Sequence, residues 1–252
     1  MRKKKNKIYK KVILNIIIYM ILLFILTYSG IKIFKWFKDK KINNKIAEQI
    51  KSTVIVTNKN EDENKKEYTV DFNKLKEQND ETVAWIKVNN TNIEYPVVKA
   101  KNNDFYLNHN FEKNYNSAGW VFADYKNKFD GKDKNIVIYG HNRKDGSMFG
   151  TLKNVLNDEW YNNDENVKII LNTEDESSVY DIFSIYKIEK EDYYIRTEFK
   201  NLDEFEKFLN TIKNRSIKNF DVDISKEDNI LTLSTCADNN KYRVVVHAKK
   251  IK

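Results

Sequence analysis

Ile230-Leu-Thr-Leu-Ser-Thr-Cys236 and Tyr242-Arg-Val-Val-Val-His-Ala-Lys249 are two runs of strand-forming residues that a short polar segment separates. Apolar and polar residues largely alternate in the first run, with the period of two that is typical of a half-buried strand. The two runs therefore predict a β-hairpin. Because Cys236 ends the first strand and Arg243 begins the second, we expect the thiol and the guanidinium to be neighbours. A thiol beside a fixed cation has a lowered pKa and forms the nucleophilic thiolate more readily.

Cys236 is the only cysteine of the chain, so an intramolecular disulfide and a cysteine-rich zinc site are excluded. A lone cysteine is either a buried small hydrophobe or a reactive thiol. A reactive thiol needs a proton partner. Of the three histidines, His141 is the best candidate, because it ends the strand-like run 135–140 just after a glycine. His109 is expected in a loop and His247 inside the last strand, far from the hairpin end. The histidine spacing predicts no metal site and no cofactor.

The net charge of +8 is concentrated at the N-terminus. Residues 1–41 contain twelve Lys and Arg residues and one acid, Asp39, whereas the other 211 residues contain 33 bases and 36 acids. This distribution argues against a basic nucleic-acid-binding surface on the main domain.

Residues 12–31 contain no charged side chain. Twenty helical residues span a hydrocarbon core of about 30 Å, and seven basic residues precede them. We expect a cytoplasmic tail (1–11), a single-pass membrane anchor (12–31) and an extracellular remainder. A cleaved signal peptide is the alternative, but the apolar run is long for one and no Ala-x-Ala site follows it.

The remainder divides into a charged stalk (32–67), with a short helix around Ile42–Ile50, and a globular domain (68–252). Eight runs rich in Val, Ile and aromatic residues predict a closed β-barrel or a sandwich. They are 83–88, 93–98, 119–123, 135–139, 167–171, 179–188, 230–235 and 242–249. Helices are predicted at 71–79, 154–161 and 201–216. The last of these lies between the sixth and seventh strands and has Leu202, Phe205, Leu209 and Ile212 on one face.

Several motifs together resemble the sortase family, and class B in particular. T-L-S-T-C (232–236) is followed by Arg243 and V-V-H-A-K (245–249), and Y-G-H (139–141) precedes it. Further similar segments are 71–98, F-Y-L (105–107), G-x-V-F (119–122) and the stretch from Gly140 to Leu152. The resemblance covers most of residues 70–252. It implies an eight-stranded barrel, with the long helix before the seventh strand that distinguishes class B, and a membrane-anchored cysteine transpeptidase on a Gram-positive cell surface.

The resemblance also implies roles for individual residues. Cys236 would attack the Thr carbonyl of a C-terminal sorting signal similar to N-P-Q-T-N or a P-x-T variant, and His141 would be the acid and base. Arg243 and the backbone N–H of Ala237 would stabilise the oxyanion, and an amino group of a peptidoglycan precursor would resolve the thioester. Substrate contacts are implied at Asn103, Leu107, Tyr139, Tyr194, Ile195 and Ser234.

The chain departs from the class B pattern in a shorter Cys236–Arg243 loop, in Ala237 where some members have an acid, and in Lys190. Two alternatives stay open at this point. One is a sortase that polymerises pilins through a lysine acceptor, and the other is a membrane-tethered binding protein whose cysteine is structural.

Overall fold

The structure, a computed structural model, describes residues 2–51, 54–58, 66–189, 191–236 and 241–251, with the backbone alone at 2–8, 54–58, 66–68 and 236. The oxyanion role expected of Ala237 and the departure from the class B pattern at Lys190 concern residues outside these ranges. The chain divides into two compact units, Met1–Ile42 and Asn43–Lys252.

The first unit is part of helix α1 (Arg2–Lys51). The side chains from Val12 to Ile31 are largely apolar and exposed. Within the described residues, one helical segment, Tyr9–Lys51, is long and apolar enough to cross a membrane. This finding is compatible with a single-pass anchor.

The second unit begins with the last turns of α1, where the short helix around Ile42–Ile50 was predicted. Ile46 and Ile50 are buried there, and Asn43 donates a 2.9 Å hydrogen bond to the carbonyl of Gly119. Residues 43–51, part of the segment expected to be a stalk, therefore pack within the same unit as the barrel.

The barrel contains eight strands, as the sequence predicted. They are β3 (Thr82–Val88), β4 (Glu94–Val98), β5 (Phe122–Ala123), β6 (Asn135–His141), β7 (Lys168–Asn172), β8 (Ser177–Glu189), β9 (Ile230–Cys236) and β10 (Tyr242–Lys250). The closed order is β10-β8-β7-β3-β4-β5-β6-β9. Two earlier strands, β1 (Val54–Asn58) and β2 (Lys66–Val70), form a separate antiparallel pair.

Short helical elements lie between the strands. The helices are α2 (Phe72–Gln78), α3 (Asp158–Tyr161) and α4 (Leu202–Asn214), and 3₁₀ turns lie at Phe105–Leu107, Leu152–Leu156 and Tyr193–Ile195. The single helix predicted at 154–161 is wrong in detail, because the extended backbone of Asn157 separates a 3₁₀ turn from α3.

Helix α4 covers the outer face of the strands next to the predicted site. Its buried side chains are Phe205, Phe208, Leu209 and Ile212. The predicted face wrongly included Leu202, which is the first residue of the helix and is 39% exposed, and omitted Phe208. Together with the turn Tyr193–Ile195, α4 forms an apolar layer over Ile230 and Val245. Strand β9 is consequently buried on both faces, whereas the sequence pattern predicted burial on one.

Candidate active site

Two neighbouring parallel strands bring His141 and Cys236 together. His141 ends β6 and Cys236 ends β9, and the two residues are direct partners in the β6–β9 register. Directly paired positions belong to the same face of a sheet. The predicted juxtaposition of these two positions therefore follows from the backbone register.

Arg243 lies on the next strand. The antiparallel register of β9 and β10 pairs Val245 with Ser234, and Arg243 and Cys236 each lie two residues beyond this last pair, at the adjoining ends of their strands. The strand pairing that the predicted hairpin requires is thus present. The Nη1 atom of Arg243 is buried and has no hydrogen-bond partner within the described part of the chain. An unpaired buried donor costs about 1–3 kcal/mol, more when it is charged, and an oxygen atom of a ligand would satisfy it.

A backbone carbonyl fixes the tautomer of His141. The Nε2 atom lies 2.7 Å from the carbonyl oxygen of Leu107. Because a carbonyl can only accept, the hydrogen bond assigns a proton to Nε2. Nδ1 is then the nitrogen that can exchange a proton with a reacting group. Leu107 was expected as a substrate contact, and the structure adds this second role for its backbone.

Gly119 allows the His141 ring to approach the chain closely. Its φ is +59°, and a Cβ atom there would lie 2.8 Å from Cδ2 of His141 and 2.8 Å from the Leu107 carbonyl oxygen. Real Cβ atoms do not come this near, and a positive φ disfavours other residues. The sequence singled out Gly119 only as part of the G-x-V-F motif, and a glycine directly before an apolar run was the only signal of this role.

Hydrogen bonds from the turn after His141 fix the backbone of this residue. The amides of Arg143 and Phe149 both donate 3.0 Å hydrogen bonds to the carbonyl of His141. Asp145 accepts from Ser147 and from Arg143, and its side chain is almost completely buried. Burial alone would raise the pKa of Asp145, but the hydrogen bonds of Ser147 and the cation of Arg143 together hold that pKa below its usual value. The ionised carboxylate therefore stabilises the turn.

A buried carboxylate joins two of the predicted substrate contacts. Oδ2 of Asp124 accepts 2.8 Å hydrogen bonds from Nδ2 of Asn103 and from the hydroxyl of Tyr139. Tyr139 pairs with Ser234 in the β6–β9 register, so both lie on the face of His141 and Cys236. The sequence interpretation missed Asp124, although an acid directly after the apolar run Trp120–Ala123 is a weak signal of a buried polar role.

The other predicted contacts are Ser234 on β9 and two residues of the turn Tyr193–Ile195. The hydroxyl of Tyr194 lies 3.0 Å from Oγ of Ser234, and both side chains are buried. Ile195 is partly buried against the apolar layer under α4. Among the predicted contacts, Asn103 and Tyr139 therefore share Asp124, Tyr194 and Ser234 lie against each other, and Leu107 contacts His141.

The remaining two histidines have local partners. Nδ1 of His109 bonds to the carbonyl of Phe105, on whose ring it stacks at 4.0 Å. His247 is completely buried, and burial lowers its pKa from 6.5 to about 3. Among the described residues, no group of three or more His, Cys, Asp or Glu side chains is arranged to hold a metal ion.

Comparison with known proteins defines the class to which this fold and site belong. A sortase-domain family model matches residues 86–251. Sortase B of Listeria monocytogenes is 34% identical over 242 residues, which cover 92% of this chain and 94% of that protein. The chain therefore belongs to the sortase family of cysteine transpeptidases.

Solved structures agree on the subdivision of the family. Sortase B of Bacillus anthracis in complex with AAEK1 superposes with a TM-score of 0.74 at 34% identity, covering 86% of this chain and 99% of that one. Sortase B of Clostridium perfringens gives a TM-score of 0.68 at 39% identity, with coverages of 72% and 100%. Within the family, the chain is a class B sortase.

Proposed function

We propose that the chain cleaves a C-terminal sorting signal, similar to N-P-Q-T-N or a P-x-T variant, after its Thr and transfers the acyl group to an amino group of a peptidoglycan precursor. The observation that carries the proposal is the register that pairs His141 with Cys236, with Arg243 at the adjoining end of β10. Family membership argues against the alternative of a binding protein with a structural cysteine.

In the first half of the proposed reaction, the Cys236 thiolate attacks the Thr carbonyl carbon and forms a C–S bond. Negative charge develops on the carbonyl oxygen, and the backbone N–H of Ala237 and Nη1 of Arg243, which has no hydrogen-bond partner among the described residues, stabilise it. When the C–N bond breaks, the imidazolium of His141 donates the Nδ1 proton to the leaving amine. The other ring proton stays on Nε2 and keeps its hydrogen bond to the Leu107 carbonyl throughout the reaction.

In the second half, the amino group of the acceptor attacks the thioester and the C–S bond breaks. His141 takes the proton that the attacking amine loses, which restores the imidazolium and the thiolate. Asn103, Leu107, Tyr139, Tyr194, Ile195 and Ser234 bind the sorting signal. The pairing of Tyr139 with Ser234 and the contact of Ser234 with Tyr194 support a peptide site beside the end of β9.

The test measures cleavage of a fluorogenic sorting peptide by the full-length chain in detergent. We expect Cys236→Ala and His141→Ala to abolish turnover, and Arg243→Lys to retain a small part of it, because Lys keeps the charge but not the guanidinium geometry. A small library of P-x-T peptides, with and without added amines, identifies the signal and the acceptor. Wild-type turnover in Cys236→Ala would contradict the proposal, and a strict requirement for a pilin lysine would favour the pilin-polymerising alternative.

We further propose the cell-surface organisation that the sequence indicates, with residues 1–11 cytoplasmic, residues 12–31 spanning the membrane and the catalytic domain (68–252) outside. The apolar helix and the basic residues before it support this orientation. Residues 32–67 connect the two parts, and residues 43–51 of this segment belong to the folded unit. Protease added to intact cells should remove the catalytic domain, and full protection would contradict the orientation.

A further inference from the structure

A series of hydrogen bonds, buried in its middle part, includes His247, which takes no part in the proposed reaction. Nδ1 of His247 lies 2.8 Å from Oγ1 of Thr232, and Nε2 lies 2.8 Å from the hydroxyl of Tyr186. His247 and Thr232 are fully buried, and Tyr186 is 3% exposed. The series thus joins β10, β9 and β8.

Both ends of this series reach the turn Tyr193–Ile195. At one end, the hydroxyl of Tyr193 donates to that of Tyr186 at 3.3 Å. At the other end, Thr232 donates to Oδ1 of Asn135 at 2.7 Å, and Nδ2 of Asn135 donates to the carbonyl of Arg196 at 2.7 Å. The first residue of the turn and the residue that follows it are therefore attached to the same series.

Every hydrogen bond of this series is donated in the same sense, from Tyr193 at one end towards the Arg196 carbonyl at the other. The Arg196 carbonyl can only accept, which fixes the orientation of the Asn135 amide. Thr232 uses its single proton on Asn135 and must accept from Nδ1–H of His247. The unprotonated Nε2 then accepts from Tyr186, and Tyr186 in turn accepts from Tyr193. A neutral imidazole satisfies every one of these bonds, and burial of His247 favours that neutral form.

The turn that this series holds carries two of the predicted substrate contacts. Tyr194 is its central residue, and its hydroxyl lies 3.0 Å from Oγ of Ser234, two residues before Cys236. A fully satisfied buried polar network rigidifies its surroundings, since any shift leaves a buried donor or acceptor unpaired. An apolar core would hold the turn against β9 less specifically.

We propose that His247 is a positioning residue, whose hydrogen-bond series fixes the Tyr193–Ile195 turn in the conformation that binds the sorting peptide. The proposal rests on the proposed function, in that the turn must contact the peptide. It assigns a role to His247, Thr232, Asn135 and Tyr186 without contact between any of them and the reacting atoms.

The test uses Thr232→Val in the full-length protein. Valine keeps the shape of the threonine side chain but removes the hydroxyl, which interrupts the hydrogen-bond series next to His247. We expect KM for the sorting peptide to rise about tenfold, which is the effect of roughly one hydrogen bond, while kcat and the alkylation rate of the single cysteine stay at wild-type values. Hydrogen exchange of the amide of Ile195, which bonds to the Asp192 carbonyl, should become faster. Tyr186→Phe, which also keeps the shape, should change KM and exchange in the same direction.

Ser184→Ala is the matched control. Ser184 is fully buried and pairs with His247 in the β8–β10 register. Its hydroxyl, however, donates to the Ile212 carbonyl in α4 and is not part of the hydrogen-bond series. We expect wild-type KM and exchange at 193–196 for this variant, despite a similar loss of stability. Wild-type KM and exchange in Thr232→Val, or an equal change in Ser184→Ala, would overturn the proposal. If the wild-type protein cleaves no sorting peptide, the proposed function fails. The hydrogen-exchange data alone then decide whether the hydrogen-bond series holds the turn.

Discussion

At the scale of single residues, the proposed site depends on how tightly His141 is held. One hydrogen bond to the Leu107 carbonyl selects the tautomer, and Gly119 provides the space for the ring. The sequence identified His141 from its place at a strand end, but neither supporting contact could be predicted. Both come from the segment 105–120, which lies far from His141 in sequence and has no periodic pattern.

Gly119→Ala should reduce peptide cleavage at least 100-fold while the protein stays folded. The added Cβ would meet the His141 ring and the carbonyls of Tyr106 and Leu107, and a misplacement of about 1 Å can cost a factor of 100 in rate. Turnover and circular dichroism measure the two effects. Gly131→Ala is a control, since it also has a positive φ but its Cβ would meet no atom within 4 Å. Equal losses in the two variants would show that backbone strain, and not the His141 ring, is responsible.

At the scale of elements, local patterns predicted the eight strands and the long helix, because alternation and helical periodicity are properties of contiguous residues. They could not predict which strands pair. β6 and β9 are adjacent and parallel although about 90 residues separate them, and a period of two defines the faces of a strand but not its neighbour. The barrel was therefore expected from family resemblance. The burial of both faces of β9 was missed, because α4 and the Tyr193–Ile195 turn cover it from a distant part of the sequence.

Helix α4 offers a direct test of this covering layer. Phe208→Ala should lower the free energy of unfolding by about 3–5 kcal/mol, the usual cost of truncating a buried phenylalanine. Leu202→Ala, at the exposed start of the same helix, should change it by about 0.5 kcal/mol or less. Urea denaturation of both variants measures the difference. Similar values for the two would mean that the helix packs on another face.

At the scale of the whole molecule, the basic excess and the long apolar helix belong to one part of the chain and the barrel to another. The basic excess belongs to residues 1–41, and the barrel belongs to the unit Asn43–Lys252. Composition predicted this separation but not its boundary, because Asn43, Ile46 and Ile50 occur in a lysine- and asparagine-rich segment whose average character is that of a stalk. Their burial depends on surfaces that the barrel provides.

The buried His247 should make the stability of the folded unit depend on pH. Its folded-state pKa is about 3, against 6.5 as the ordinary value, so the unfolded state binds a proton that the folded state excludes. The resulting stabilisation is complete above pH 6.5 and decreases as the pH falls towards 3. Tyr186, the other titratable group that contacts this ring, stays neutral over that range because burial raises its pKa.

Urea denaturation at pH 7 and pH 4.5 checks this effect. The wild-type chain should lose about 3 kcal/mol more than His247→Gln between the two values, given 1.36 kcal/mol for each pH unit between 6.5 and 4.5. The comparison uses the change with pH and not the absolute stability, since the variant also loses hydrogen bonds. Carboxylates with lowered pKa, such as Asp145 and Asp228, contribute equally to both proteins. An identical pH dependence of the two would contradict the neutral, buried state of His247.

Above all, we propose that Cys236 and His141 act together on the Thr carbonyl of a sorting signal. Intact-mass measurement of the chain, shortly after mixing with a sorting peptide and no amine, tests it most directly. We expect a mass increase equal to the acyl part of the peptide, located on Cys236 and removed by hydroxylamine, and we expect no increase in Cys236→Ala or His141→Ala. An adduct of the same mass in Cys236→Ala, or one that forms at the wild-type rate in His141→Ala, would contradict it.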